Sequence, residues 1–267
     1  MIQQMANEVQ PGTEFNKAKD SSLKAEAGDL LALLEITAGG AVAVVGCGGK
    51  TSLIELIAAL SSEKRVLVSA TAKAFPMTSR QVILCDTLKG CVEHKPQTGI
   101  QCLGIYNERN GKLGALPEQV LTDMTRYYDL VLMEADGSRC LPCKGWRRNE
   151  PVVYDFCTHT VGVVTMDALG KAAAGDVVHN LSEFLSLTGL SEGEMITVQA
   201  LVDMVCLSEG MFRGCAGQQY LLVNRAEDES AVRASQAFLQ VIKARYPGRF
   251  KRLLYGSVHR NTWYEVV

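Results

Sequence analysis

An apolar strand, a glycine-rich turn and an amphipathic helix follow one another directly between residues 41 and 60. Residues 41–45 read Ala-Val-Ala-Val-Val between glycines, which is typical of a strand buried on both faces of a parallel sheet. Residues 46–52 read Gly-Cys-Gly-Gly-Lys-Thr-Ser, and residues 53–60 carry apolar side chains at largely helical spacing. This order is that of a βαβ unit, so the chain is predicted to adopt an α/β fold.

The rest of the chain alternates between apolar runs and amphipathic segments. This alternation predicts a mostly parallel sheet flanked by helices on both faces, like that of a P-loop NTPase. Asn110-Gly111 is a hairpin signal, which allows one antiparallel edge. We expect a polar tail at residues 1–22 and one P-loop α/β domain at residues 23–267. Strands are predicted at residues 65–70, 81–85, 101–106, 129–135, 160–166, 220–223 and 252–255, and further helices at residues 23–36, 117–128, 177–188, 197–207 and 229–245.

The composition argues against several classes of protein. Apolar residues make up 47% and charged residues 21%, which are values of ordinary globular proteins. The formal charge of -2 provides no general field for nucleic acid or an anionic membrane, so neither is an expected partner. The N-terminus resembles no signal peptide, and no apolar run approaches the ~20 residues that span a bilayer. Nine scattered cysteines suit reduced thiols, and we expect a cytoplasmic protein.

The glycine-rich turn is a candidate phosphate site. Three glycines within residues 46–49 allow positive φ angles, which turn consecutive N–H groups inward at the start of a helix. Lys50 would reach the β- and γ-phosphates, and the Thr51 hydroxyl would bind Mg²⁺. The usual G-x-x-x-x-G-K-[ST] pattern would place its first glycine at Val44, so this loop is shorter by two residues, and a glycine-rich turn with a solvated lysine stays open. The predicted nucleotide-binding residues of the loop are Gly46, Gly48, Gly49, Lys50, Thr51 and Ser52, and the predicted cofactors are Mg²⁺ with ATP or GTP.

Two acids, Glu134 and Asp136, follow the apolar run at residues 130–133. In a P-loop sheet, the strand beside the loop delivers an acidic group toward Mg²⁺ or the attacking water. We assign Asp136 with Thr51 to the metal and Glu134 to water activation or to a supporting role, although the sequence also allows the reverse. Solvated acids before a turn are the plainer alternative. Lys50, Glu134 and Asp136 are the predicted catalytic residues.

Asn224 and Glu227 close a later strand in a segment that resembles the N-K-x-D element with which many GTPases read guanine. An asparagine amide can face the O6/N7 edge of the base, and a carboxylate can accept from N1 and N2. Arg225 stands where that element has lysine, and Glu227 is longer than its aspartate by one methylene. Both residues are therefore predicted to bind the nucleotide, the base stays undecided, and an Asn-capped turn is the alternative.

Other polar groups carry weaker signals. Residues 71–73 follow a strand and could face the γ-phosphate, although a simple loop is equally compatible. The basic side chains of residues 139–148 could hold an anionic second substrate, and a solvated loop explains them as well. Cys140 and Cys143 form a C-x-x-C pair, but the sequence offers no second pair of ligands for zinc.

Further motifs of the sequence lie at residues 45–52, 134–139, 141–144, 150–153, 167–171 and 178–179. Together these segments resemble the YqeC family, whose members are described as accessory proteins of selenium-dependent molybdenum hydroxylases. The resemblance implies nucleotide binding at Gly46–Ser52, an acidic site at Glu134 and Asp136, and a molybdenum hydroxylase or molybdopterin-type cofactor as partner. It also implies family positions of unassigned role at Lys144, Asp167, Lys171 and His179.

These features lead to three hypotheses about function. The first is a Mg²⁺-dependent NTPase or NTP-driven transferase that takes part in maturation of a selenium-dependent molybdenum hydroxylase or its cofactor. The second is a nucleotide-regulated chaperone or docking protein with little catalysis of its own. The third is a small-molecule kinase that uses the basic loop at residues 139–148 as its acceptor site.

Overall fold

A computed structural model describes residues 28–72, 82–85, 90, 95–107 and 112–267. Within these residues, a ten-stranded sheet and a two-stranded sheet form the β structure. The helices are α1 (Leu30–Leu33), α2 (Lys50–Leu60), α3 (Glu118–Met124), α4 (Leu181–Thr188), α5 (Val198–Cys206) and α6 (Glu229–Arg245). The strands are β1 (Gly40–Gly46), β2 (Arg65–Ala70), β3 (Val82–Cys85), β4 (Gly99–Asn107), β5 (Lys112–Gly114), β6 (Leu130–Glu134), β7 (Cys143–Lys144), β8 (His159–Thr165), β9 (Val178–His179), β10 (Gln218–Asn224), β11 (Arg252–Ser257) and β12 (Thr262–Glu265).

The large sheet is mostly parallel. Its strands lie in the order β12-β11-β10-β8-β1-β6-β2-β4-β3, and β5 pairs with β4. Pairing is parallel from β11 to β3 and antiparallel only in the β11–β12 and β4–β5 pairs at the two edges. The predicted P-loop NTPase-like α/β fold is therefore confirmed, including an antiparallel edge after residue 107. Asn110 and Gly111, which suggested the hairpin, lie outside the described residues.

Strand β1 occupies the middle of the sheet and is buried along its whole length. Val42 and Val44 point to one face, where they share a core with Leu53 and Ile57 of α2. The alternate residues of β1 point to the other face, where α3, α4, α5 and α6 contribute side chains to the second core. This two-sided burial is the reason for an apolar run without polar alternation.

Helix α6 shows how well local signals set its ends. The Asp228 side chain accepts a hydrogen bond from the Ala231 amide and caps the first turn, while Lys243 and Arg245 lie in the last turn. These charges suit the helix dipole at both ends. The predicted helix at residues 229–245 is confirmed at both boundaries.

Three predicted helices are shorter in the structure, and the one predicted at residues 117–128 spans only Glu118–Met124. Only Leu30–Leu33 of the segment 23–36 is helical, capped by the Asp29 carboxylate, and residues 23–27 lie outside the described residues. The segment 177–188 becomes helical only at Leu181, because Val178 and His179 pair with Cys143 and Lys144 in the small parallel sheet. In the part of the chain that the structure covers, no helix is long and apolar enough to cross a membrane.

Candidate functional site

The glycine-rich turn lies at the carboxyl edge of the sheet, between β1 and α2. Its strand is flanked by β6 on one side and by β8 on the other, with β10 beyond β8. The carboxyl ends of parallel strands share one edge, so Glu134, Thr165 and Asn224 all end their strands beside this turn. The sheet order thus brings together segments that are far apart in the sequence.

Each glycine of the turn is required by its surroundings. Gly46, Gly48 and Gly49 have φ angles of 104°, 96° and 117°, in the region that favours glycine. A Cβ atom on Gly46 would lie 2.3 Å from the Val163 carbonyl oxygen, and one on Gly49 would lie 2.5 Å from Asn224 Nδ2. Larger residues would therefore change the course of the loop.

A run of unpaired backbone donors lines the start of α2. Among the described residues, the N–H groups of Gly48 to Ser52 find no hydrogen-bond acceptor, whereas Gly46 N donates to Asp136 and Cys47 N to Val163. Gly48, Gly49 and Thr51 are partly exposed and Ser52 is exposed. Successive free amides at a helix N-terminus form a site that suits an anion.

Lys50 is held inside this turn and is only 4% exposed. Its Nζ donates to the Gly46 carbonyl oxygen at 2.7 Å and lies 3.3 Å from Asp136 Oδ1 and 3.7 Å from Glu134 Oε1. Burial alone would lower the pKa of Lys50, but the two carboxylates outweigh it and raise that pKa above the ordinary value. The lysine is therefore charged and faces Glu134 at the end of β6 and Asp136 just beyond it.

The two acids occupy different environments. Glu134 accepts a hydrogen bond from the Thr51 hydroxyl at 2.8 Å, and its side chain is 14% exposed. Asp136 is fully buried: it accepts from Gly46 N at 3.1 Å and from Trp146 Nε1 at 2.6 Å. Asp136 Oδ2 also lies 3.4 Å from Lys144 Nζ. Glu134 is thus near the mouth of the site, whereas Asp136 supports it from below.

Lys144 lies at the buried end of this charged cluster. Its side chain is completely buried, donates to the Gly137 carbonyl oxygen at 2.7 Å and lies 3.1 Å from Glu150 Oε2. His179 pairs with Lys144 across the small sheet. Burial and the nearby Lys144 charge lower the pKa of His179, so its neutral form is favoured.

Asn224 and Glu227 also lie at this edge. Asn224 Nδ2 donates to the Gly48 carbonyl oxygen at 2.8 Å, and its Oδ1 accepts from Val258 N at 2.9 Å. Glu227 Oε1 accepts from the buried Ser257 hydroxyl at 2.6 Å. The amide therefore ties the glycine turn to the end of β11.

A cavity of about 310 Å³ opens over Gly48. Asp167 and Lys171, which the sequence marked as positions of unassigned role, lie in its wall, and Asp167 Oδ2 pairs with Arg225 Nη1 at 2.6 Å. The remaining lining residues are Cys140, Leu141 and Pro142. The cavity thus joins the glycine turn to the ends of β8 and β10.

Some predicted groups are not brought to the site. The Thr71 hydroxyl donates to the Val152 carbonyl oxygen, and Lys73 lies outside the described residues. The basic side chains of residues 139–148 do not act as one group, because Lys144 is buried while Arg147 pairs on the surface with Glu183.

The C-x-x-C pair is also divided. Cys140 is exposed, whereas the Cys143 thiol is buried against Met204 at 3.4 Å between the two sulfur atoms. Over the described ranges, no group of three His, Cys, Asp or Glu side chains could hold a metal ion.

Trp146 and Ser257 were not singled out from the sequence. A tryptophan within a basic, polar segment was the available signal for Trp146, since such a side chain usually packs inward. Ser257 had no local signal, because its partner Glu227 comes from a different strand end.

The sheet order, the glycine turn after the central strand and the acids on the adjacent strand together define a P-loop NTPase-like α/β protein. The model of the YqeC protein family matches residues 42–182. The uncharacterized protein YqeC of Escherichia coli (strain K12) is 30% identical over 206 residues, which cover 73% of this chain and 80% of that relative. The chain belongs to the YqeC family.

Proposed function

We propose that this protein binds a nucleoside triphosphate together with Mg²⁺ at residues 46–52, and that it hydrolyses the nucleotide or transfers part of it. The run of free amides from Gly48 to Ser52 around the charged Lys50 is the observation that carries this proposal. In such turns, backbone N–H groups and a lysine ammonium donate hydrogen bonds to phosphate oxygens. The alternative of a merely solvated lysine is disfavoured, since Lys50 is buried among acids.

The donor set at the mouth of the site fits Mg²⁺. The Thr51 hydroxyl and the Glu134 carboxylate are in hydrogen-bond contact, and hard oxygen ligands of this kind are those that Mg²⁺ prefers. Bound there, Mg²⁺ would neutralise charge on the phosphates during phosphoryl transfer. Asp136 is already engaged by Gly46, Trp146 and the lysines, so we now assign Glu134 rather than Asp136 to the metal.

The remaining residues have separate tasks in this proposal. Lys50 would exchange its contact with the Gly46 carbonyl for a phosphate oxygen without leaving the cluster. Asp136 holds the end of β1 through the Gly46 amide and balances the charges of Lys50 and Lys144. These contacts hold the loop in place before the anion binds, and such preorganisation lowers the cost of binding.

The biological role in the proposal follows the family resemblance. NTP turnover would serve the maturation of a selenium-dependent molybdenum hydroxylase or of its molybdopterin-type cofactor, in the cytoplasm. Hydrolysis measured with and without such a hydroxylase tests this role, because an accessory factor should turn over NTP faster, or transfer a group, when its client is present. An unchanged rate and an unmodified client would argue against it.

Isothermal titration calorimetry with ATP, GTP and CTP, each with and without Mg²⁺, tests the nucleotide site. Lys50→Ala should weaken binding about 10- to 150-fold, since a charge-assisted hydrogen bond contributes roughly 1.5–3 kcal/mol. Lys243→Ala removes an exposed lysine from the last turn of α6 and should leave binding unchanged. No heat with any of the three nucleotides, or full affinity in Lys50→Ala, would refute the proposal.

A further inference from the structure

The orientation of the Asn224 amide is fixed by the backbone on both sides. Its amino group faces the Gly48 carbonyl oxygen, and its carbonyl oxygen faces the Val258 N–H group. If the amide were flipped, its amino group would face the Val258 N–H group and its oxygen would face the Gly48 carbonyl oxygen, so neither hydrogen bond could form. One of the two amino hydrogens serves Gly48, so the second is left to donate on the side of the glycine turn.

Glu227 presents the opposite kind of group. The Ser257 hydroxyl, which is fully buried, donates to Oε1 of the carboxylate, and Arg260 Nη1 donates to the backbone oxygen of the same residue at 2.7 Å. No described residue donates to Oε2 of Glu227. The strand end therefore offers a fixed donor at Asn224 and a fixed acceptor three residues later.

A purine is read by the order of its donors and acceptors. Guanine carries acceptors at O6 and N7 and donors at N1 and N2, whereas adenine carries an amino donor at C6 and an acceptor at N1. Guanine would place acceptors against Asn224 and donors against Glu227. Adenine would oppose donor to donor and acceptor to acceptor, which leaves polar groups unpaired.

The spacing of the strands also fits a nucleotide. Asn224 ends β10, which is two strands from β1, or roughly 10 Å at the usual spacing within a sheet. The cavity of about 310 Å³ over Gly48 borders Arg225, the residue after Asn224, so it extends from the glycine turn to the end of β10. From these contacts we infer that the base is guanine and that Asn224 and Glu227 select it. Guanine recognition presupposes the nucleotide site proposed above.

Glu227→Gln is the informative variant, because glutamine keeps an oxygen for the Ser257 hydroxyl but turns the other carboxylate oxygen into an amino group. GTP should bind roughly 10- to 100-fold more tightly than ATP to the unaltered protein. In Glu227→Gln the affinity for GTP should fall by a similar factor. XTP, which has an oxygen in place of the guanine amino group, should then bind better than GTP.

Two controls separate base reading from support of the fold. Glu229→Gln changes an exposed carboxylate in the first turn of α6 and should preserve the preference for GTP. Inorganic tripolyphosphate contacts only the phosphate site, so its affinity should be the same in Glu227→Gln and in the unaltered protein. Circular dichroism confirms that each variant is folded.

The outcomes distinguish the two proposals. Equal binding of GTP and ATP to the unaltered protein overturns guanine selection while leaving the phosphate site in place. An equal loss of all nucleotides in Glu227→Gln, without any gain for XTP, assigns Glu227 a structural role and also overturns it. Failure of every nucleotide and of tripolyphosphate to bind overturns the nucleotide site and guanine selection together.

Discussion

Replacing Asp136 with asparagine should destabilise the protein strongly, although the shape of the side chain hardly changes. The carboxylate is buried, accepts hydrogen bonds from Gly46 N and Trp146 Nε1, and lies 3.3 Å from Lys50 Nζ and 3.4 Å from Lys144 Nζ. Asparagine keeps one acceptor oxygen but removes the negative charge. Two buried ammonium groups would then share only the carboxylates of Glu134 and Glu150.

The size of the effect follows from that loss. Removing one partner of a buried ion pair costs about 3–5 kcal/mol, and the isosteric shape of asparagine places Asp136→Asn near the lower figure. At about 2–4 °C per kcal/mol for a protein of this size, the melting temperature should fall by about 6–12 °C. The double variant Asp136→Asn/Lys144→Met should lose less stability than the sum of the losses in the two single variants, because Lys144→Met also removes a charge that Asp136→Asn leaves unpaired.

Scanning calorimetry and urea unfolding followed by circular dichroism measure these differences. Asp155→Asn is the matched control, because Asp155 is exposed and its replacement should change the melting temperature by less than about 2 °C. If Asp136→Asn melts within about 2 °C of the unaltered protein, the charged cluster does not stabilise the loop. Additivity of Asp136→Asn and Lys144→Met would equally contradict the coupling described here.

Three further predictions concern pH, thiol chemistry and the loop. Burial lowers the pKa of His159, so the native state favours its neutral form and the free energy of unfolding should fall as the pH drops below the ordinary value of about 6.5. Urea unfolding at pH 7.5 and at pH 5.5 measures this fall. It should be smaller in His159→Gln than in the unaltered protein, whereas His259→Gln should show the full fall. Cys140 is the exposed thiol among the described cysteines, and it lines the cavity over Gly48. Saturating Mg²⁺–GTP should therefore slow the alkylation of Cys140 by iodoacetamide, which mass spectrometry measures. An unchanged rate would contradict the placement of the nucleotide beside this cavity. Gly48→Ala should weaken nucleotide binding at least tenfold in calorimetry, because the new Cβ would lie 2.8 Å from the side chain of Thr165. Gly189→Ala is the control: it also places alanine at a positive φ, but the space around it is open, so binding should be unchanged.

Local sequence patterns predicted the strands and helices whose own residues encode their burial and their ends. β1 is apolar because both of its faces are buried, and α6 carries its own cap and end charges, so both could be placed from the sequence. The glycine turn was equally local, since positive φ angles at Gly46, Gly48 and Gly49 require the residue that has no Cβ. The short strands β7 and β9 were missed, because each consists of two residues that pair only across 35 positions of sequence.

The sequence by itself determined that an apolar parallel strand, a glycine-rich turn and two acids would occur in this order, because each is encoded by neighbouring residues. Only the tertiary structure decided the environments of the acids: Trp146 and Lys144 contact Asp136, which is buried, while Glu134 lies near the mouth beside Thr51. It also decided that Asn224 reaches Gly48, from which it is separated by 176 positions. Residue spacing sets which side of a strand a group occupies, but burial and partners depend on segments that the chain brings together only on folding.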